Sequence, residues 1–340
     1  LSIPTLPGIT EKTISSARLT TRVLFSGDND GTPVLFIHGN ASSATFWEET
    51  MLALPAGFRA IAPDLRGYGG ADRDQKIDAT RGMGDFSDDL LALFDTLGIE
   101  QAHIVGHSLG GGVCWRMMTD APTRLLSVTL AAPGSPYGFG GTKGETGELC
   151  APDGAGSGGG SVNPAFPQAM DIDDRSDTAG SPRNIMTTYY WKAPYTSPRE
   201  EDLLSSLNSE HIGGQEYPGD FEVSENWPGT KPGIWGPVNA LAPIYAGDVS
   251  AIWKISPKPP VLWVYGADDQ IVSDFSLFNL GTLGQLGAVP GWPGAEVHPP
   301  QPMVSQVRYV LGQYESNGGK VTILTLPDCG HTPYLEKPAE

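Results

Sequence analysis

The chain has 340 residues, enough to bury one large core with an insertion or to form two domains. Thirty-nine Asp and Glu against 21 Lys and Arg give a formal charge of −18, which argues against a nucleic-acid partner because phosphate binding needs clustered Lys and Arg; the acidity most simply keeps the protein soluble. No uncharged apolar stretch of about 18 residues occurs, so no membrane span is expected, and three cysteines do not make a disulfide scaffold.

In chain order, residues 33–37 form an apolar run of the kind a buried parallel strand needs, and they deliver His38-Gly39-Asn40 at its carboxyl end. A strand at 58–62 runs into Pro63-Asp64-Leu65-Arg66-Gly67-Tyr68-Gly69, and a helix is predicted near residues 85–97. The strand at 101–106 then meets Val105-Gly106-His107-Ser108-Leu109-Gly110-Gly111. A serine with a glycine two residues to either side, at a strand-to-helix junction, is strained by the sharp turn, and only glycine-sized neighbours let that turn close. The Ser108 hydroxyl is thereby expected to stand exposed above the sheet, followed by a helix and a strand at 126–131. Such alternation predicts an α/β fold with a mostly parallel sheet, helices on both faces and ligands at the carboxyl ends of the strands.

Residues 134–255 break this rhythm. They open on a glycine-rich loop, 134–160, and continue proline-rich to Asn184, with short helices expected at 185–191 and 199–207. Gly154-Ala155-Gly156-Ser157-Gly158-Gly159 matches a G-x-G-x-x-G pattern but lacks the strand before it and the helix after it, so no dinucleotide is implied. The acidic run Asp171, Asp173, Asp174 and Asp177 lacks the glycine and terminal glutamate of a calcium loop and reads as a solvated turn. The six histidines show no zinc-ligand spacing. Cys114 reads as a small buried residue; Cys150 and Cys329 lie in loops, leaving room for one bridge at most. Leu1 in place of methionine is consistent with a removed secretory signal or a shortened chain, and localisation and oligomeric state stay open.

Two more strands follow. Residues 260–265 end in Gly266-Ala267-Asp268-Asp269-Gln270-Ile271-Val272, and residues 320–326 lead into Asp328-Cys329-Gly330-His331-Thr332-Pro333. Between them lies a second insertion, 281–302, proline-rich and carrying Trp292; a loop of this length in a compact protein is more often functional than idle.

The set of Ser108, Asp269 and His331 in that order, with the His38-Gly39 turn and the Asp64 to Gly69 segment, resembles the α/β-hydrolase superfamily over residues 23–128 and from 260 onward. The resemblance implies an α/β-hydrolase fold with its core in residues 1–133 and 256–340 and an inserted cap in residues 134–255. It implies Ser108 as nucleophile, His331 as the base that takes its proton and Asp269 as the carboxylate that orients His331. Asp268 competes for that last role, but the motif places the acid three residues after the glycine. Backbone N–H groups of Leu109 and Asn40 would form the oxyanion hole. Relatives with an aspartate nucleophile use an asparagine at the position of Asn40 for halide, a chemistry that a serine nucleophile disfavours. Relatives also carry a closing helix beyond the positions of Glu336 and Pro338, which a chain ending at Glu340 lacks or has lost. No cofactor or metal is implied.

The leading expectation is a serine hydrolase that cleaves a carboxylic ester or lactone through an acyl-enzyme. Trp191, Trp235 and Trp292 are the candidate walls of a pocket for a bulky, partly apolar small molecule; core packing is the alternative for each. Other readings use the same triad: an aminopeptidase or amidase, with Glu200, Glu201 and Asp202 as candidates to hold the amine, or a carbon–carbon bond hydrolase. A reading of another class is a ligand receptor of hydrolase descent, which turnover would distinguish.

Overall fold

A computed structural model describes residues 3–340. Eight strands form one sheet: β1 (Thr10–Ser15), β2 (Thr20–Gly27), β3 (Thr32–Ile37), β4 (Phe58–Pro63), β5 (Ala102–His107), β6 (Leu125–Ala131), β7 (Val261–Gly266) and β8 (Val321–Leu326). Their spatial order is β1-β2-β4-β3-β5-β6-β7-β8. The first two strands pair antiparallel, β2 runs antiparallel to β4, and every later pair is parallel. The chain reverses its direction of winding between β3 and β5, so a crevice opens there at the carboxyl ends of the parallel strands.

β3 shows why its sequence reads as an unbroken apolar run. Leu35 and Ile37 pack on one face with Phe86, Leu90, Val113 and Met117, whereas Val34 and Phe36 pack on the other with Trp47 and Met51. Those partners come from helices on opposite sides: α2 (Gly84–Leu97) and α3 (Leu109–Asp120) on the first, α1 (Glu48–Ala53) with the turn before it on the second. Each fully buried side chain of this size contributes about 1.5–3 kcal/mol. A fourth helix, α4 (Met303–Ser316), sets Val307, Val310, Leu311 and Tyr314 into the first core.

The segment between β6 and β7 is mostly loop, with short helices at Ala165–Asp171, Pro182–Ile185 and Glu200–Leu207 and a wide turn of helix at Met186–Tyr190. Met170, Met186, Tyr190, Trp191, Leu203, Leu204 and Leu207 join Ala41 and Phe46 of the strand-end loops in one buried cluster, which fastens this segment over the crevice. Its glycine-rich stretch is packed shut: Gly156 lies against the His298 ring and Gly158 against Asn239. Two members of the acidic run meet arginines, with Asp173 3.2 Å from Arg175 and Asp177 3.5 Å from Arg183. All three cysteines are free thiols. Among the described residues no helix is long and apolar enough to cross a membrane.

Candidate active site

The carboxyl ends of five parallel strands meet at one cavity of about 460 Å³. β5 enters α3 through Ser108, whose φ of 54° and ψ of −115° place a non-glycine residue in a sparsely populated region. The backbone holds it there: its N–H donates to Ala131 O at 3.1 Å, and its carbonyl accepts from Gly111 and Gly134, both at 2.9 Å. Among the described residues the Ser108 hydroxyl has no hydrogen-bond partner, and it faces the cavity together with His331. Contacts between a nucleophile and its base commonly tighten only when substrate arrives.

The glycines around Ser108 are required by close approach rather than by flexibility. A Cβ on Gly110 would collide with the carbonyl oxygens of Ile37 and His38, and one on Gly106 with the Gly110 carbonyl and Cys114 Sγ. α3 thus lies directly against the end of β3. Gly110→Ala is expected to destabilise the fold by about 1–3 kcal/mol through overpacking. Urea unfolding checks this, and a value within about 0.5 kcal/mol of the parent would refute the crossing geometry.

The loop after β7 brings Asp269 under His331. Its Oδ1 accepts the N–H groups of Ile271 at 2.8 Å and Val272 at 3.0 Å, and its Oδ2 accepts His331 Nδ1–H at 2.7 Å. Both side chains are buried, so the pair is shielded from water. Asp268 turns the other way, to an ion pair with Lys192 Nζ at 2.9 Å on the surface, which separates the two adjacent carboxylates physically. His331 is further fixed by its carbonyl, which accepts from His107 Nε2 at 2.8 Å, and by Glu336, whose carboxylate accepts from Gly330 N–H at 2.8 Å and Lys192 N–H at 2.9 Å. Burial pushes the His107 pKa well down, partly offset by that bond to the His331 carbonyl.

After β3 the chain makes a tight turn. His38 is buried and its Nε2 accepts Leu65 N–H at 3.0 Å, so Nδ1 carries the proton and donates to Gly39 O at 2.8 Å. Burial pushes the His38 pKa down to about 4, which keeps this tautomer neutral. Among the described residues neither the Asn40 nor the Leu109 backbone N–H has an acceptor, and both residues border the cavity beside Ser108. The Asn40 side chain is occupied instead by the Tyr68 hydroxyl, 2.8 Å from Oδ1.

The remaining wall is mostly apolar, and it corrects the sequence-based choice of tryptophans. Trp191, Trp235 and Trp292 do not line the cavity. Trp191 is buried in the cluster with Ala41 and Phe46, edge-on to Tyr195. Trp235 sits in a backbone bridge to Asp78, and Trp292 donates its indole N–H to His298 O at 2.8 Å. The wall comes instead from Ile271, Leu277, Phe278, Leu280, Leu283 and Val289, together with Val162, Phe166, Ile185, Tyr189, Tyr190 and Tyr217. Ile271, Leu277, Phe278 and Leu280 follow the acid loop directly and belong to no motif of their own. The 281–302 segment begins in a short helix, Leu280–Gln285, whose Leu283 reaches the cavity.

The comparisons with known proteins agree with this architecture. A family model of the alpha/beta hydrolase fold matches residues 32–148. The chain is similar to the dihydrolipoyllysine-residue acetyltransferase component of the acetoin cleaving system of Cupriavidus necator, 39% identical over 107 residues that make up 32% of this chain and 27% of that one. It is also similar to the carboxylesterase YbfK of Bacillus subtilis, 29% identical over 119 residues, 34% of this chain and 39% of that one. The chain thus spans less than half the length of these curated relatives. Among solved structures, the 2-hydroxy-6-oxo-6-phenylhexa-2,4-dienoate hydrolase from Rhodococcus sp. strain RHA1 superposes with a TM-score of 0.58 at 19% identity, over 97% of this chain and 94% of that one. By its family-model match over residues 32–148, its structural neighbours and its sheet, the chain has the α/β-hydrolase fold.

Proposed function

We propose that this hydrolase is a serine carboxylic-ester hydrolase that takes esters or lactones with a bulky apolar acyl or alcohol group. The observation that carries the reading is one cavity holding an unpartnered serine hydroxyl, a carboxylate-held histidine and two free backbone N–H donors inside a mostly apolar wall. Ser108 Oγ would attack the ester carbonyl as His331 Nε2 takes its proton; the carbonyl electrons would move to an oxygen held by the Asn40 and Leu109 N–H groups. Collapse of that tetrahedral species would expel the alcohol, with the proton returned by His331, and leave an acyl-Ser108 for water to cleave. Residues 134–255 would serve as the cap, excluding water and shaping the pocket.

Charge supports ester over amine recognition. Among the described residues no Asp or Glu lines the cavity, and the carboxylates that could have held a substrate amine are taken up elsewhere: Glu200 by Arg183, Glu201 by Arg175 at 2.7 Å, and Asp202 by Arg199 at 3.1 Å. The direct test is a short incubation with p-nitrophenyl butyrate followed by acid quenching and peptide mass analysis. A butyryl adduct on the Ser108 peptide with many turnovers of nitrophenol supports the reading; turnover without Ser108 acylation rejects the mechanism, and a single slow modification points to a receptor.

Specificity follows from the wall. Leu283→Trp is expected to lower kcat/KM for an octanoate ester relative to acetate by about tenfold or more, since apolar pockets discriminate steeply when chain length meets a filled wall. Phe278→Ala, which removes a ring packed edge-on to Tyr189, should shift the ranking toward larger acyl groups. Trp235→Ala and Trp292→Ala should leave it unchanged. If the tryptophan variants change the ranking while Leu283→Trp does not, the cavity assigned here is not where substrate binds.

A further inference from the structure

Ala41 holds a φ of 44°, a left-handed backbone that strains any residue with a Cβ, and such strain persists only where the surroundings enforce it. The enforcement comes from far along the chain. Glu210 Oε2 accepts the Ala41 N–H at 3.1 Å, and the Tyr190 hydroxyl donates to the Ala41 carbonyl at 2.9 Å. Both side chains are buried, Glu210 at 3% exposed and Tyr190 at 6%. Glu210 meets no cation there, and its Oε1 has no hydrogen-bond partner among the described residues. Burial pushes its pKa well above the usual carboxyl range, only partly offset by the hydrogen bond from the Ala41 N–H. A carboxyl group placed at such cost calls for a purpose.

The adjoining peptide supplies one. The Gly39 carbonyl accepts from His38 Nδ1 and from Ser42 Oγ, both at 2.8 Å. Because the peptide is planar and trans, the Asn40 N–H must point away from those donors, on the side where Asn40 borders the cavity. Glu210 fixes the next peptide through the Ala41 N–H, and Tyr190 fixes the one after through the Ala41 carbonyl. Three consecutive peptide planes are thus locked, the first by the turn itself and the other two by the segment between β6 and β7.

We propose that Glu210 and Tyr190 are positioning residues that clamp Ala41 and so hold the Asn40 N–H at the place where a substrate oxyanion forms. The inserted segment then completes the oxyanion site as well as covering it. This rests on the ester-hydrolase reading above.

The test compares Glu210→Ala, Glu210→Gln and Tyr190→Phe with the parent, using p-nitrophenyl butyrate and an alkyl aryl trifluoromethyl ketone. That ketone adds Ser108 Oγ to its carbonyl carbon while the serine proton passes to His331, so its affinity reports the oxyanion site. Tyr190→Phe and Glu210→Ala are expected to lower kcat about tenfold or more with KM within about twofold, and to weaken the ketone by a similar factor, as loosening of an oxyanion donor requires. Glu210→Gln, which keeps an oxygen for the Ala41 N–H, should recover most of the loss seen with Glu210→Ala. Tyr190→Phe removes only a hydroxyl, so it decides the matter if Glu210→Ala fails to fold. Unchanged kcat and ketone affinity in Tyr190→Phe, or a rise in KM alone in either variant, overturns the clamp while leaving the hydrolase reading intact. Absence of Ser108-dependent turnover in the parent overturns that reading and the clamp with it.

Discussion

Ser108→Ala is expected to lower kcat for any ester the parent cleaves by about 10⁴-fold or more while leaving the fold intact. The size follows from the proposed mechanism, in which the Ser108 hydroxyl beside His331 forms the acyl intermediate; what survives is the slow attack of water helped by the remaining donors. The fold should hold because nothing structural depends on the hydroxyl. It has no protein partner among the described residues, whereas the backbone bonds that keep residue 108 at φ 54° run through its N–H and carbonyl and are available to alanine. Thermal melts should therefore agree within a few degrees, a shift of about 1 kcal/mol or less. Turnover near the parent rate in a folded Ser108→Ala protein would remove serine from the mechanism.

Which parts of this molecule could be read from sequence depends on how many faces of an element are buried. β3 and β5 stood out because contiguous apolar residues serve two cores at once, and the turns at their carboxyl ends must carry His38-Gly39 and Ser108-Leu109-Gly110 for steric reasons that a motif records. The β1–β2 hairpin was invisible for the opposite reason: β1 is exposed on nearly every residue and carries no apolar pattern. Residue size misled the reading of the pocket. Tryptophan advertises a large apolar surface but not the direction it faces, and Trp191 buries that surface in the cluster with Ala41 while Phe278 and the branched aliphatics at 271–289 build the wall. The expected helix at 185–191 is real in part, but it widens after Ile185 and ends at Tyr190, turning Tyr190 toward Ala41. Glu210 gave no local signal at all, because its significance lies in a partner 169 positions away.

The pair Asp268 and Asp269 separates an orienting carboxylate from a surface one, and the expected contrast is large. In Asp269→Asn the Ile271 and Val272 N–H groups demand an acceptor, so the amide oxygen must replace Oδ1 and the NH₂ must replace Oδ2 opposite His331 Nδ1. Two donors cannot face each other, so the imidazole proton moves to Nε2, the nitrogen that has to accept from Ser108. A base locked in the wrong tautomer costs about 10⁴-fold in kcat, with geometry and substrate binding preserved, so KM should change little. Asp268→Asn instead weakens one ion pair with Lys192, which keeps its second partner Asp328 at 2.9 Å. Exposed pairs of this kind are worth about 0–1 kcal/mol, and none of that reaches the cavity, so kcat should stay within about twofold. Steady-state kinetics on both variants, with circular dichroism to confirm folding, decides the assignment. A large loss in Asp268→Asn with a mild one in Asp269→Asn would hand the role to Asp268, and equal mild losses would mean that His331 does not depend on either carboxylate.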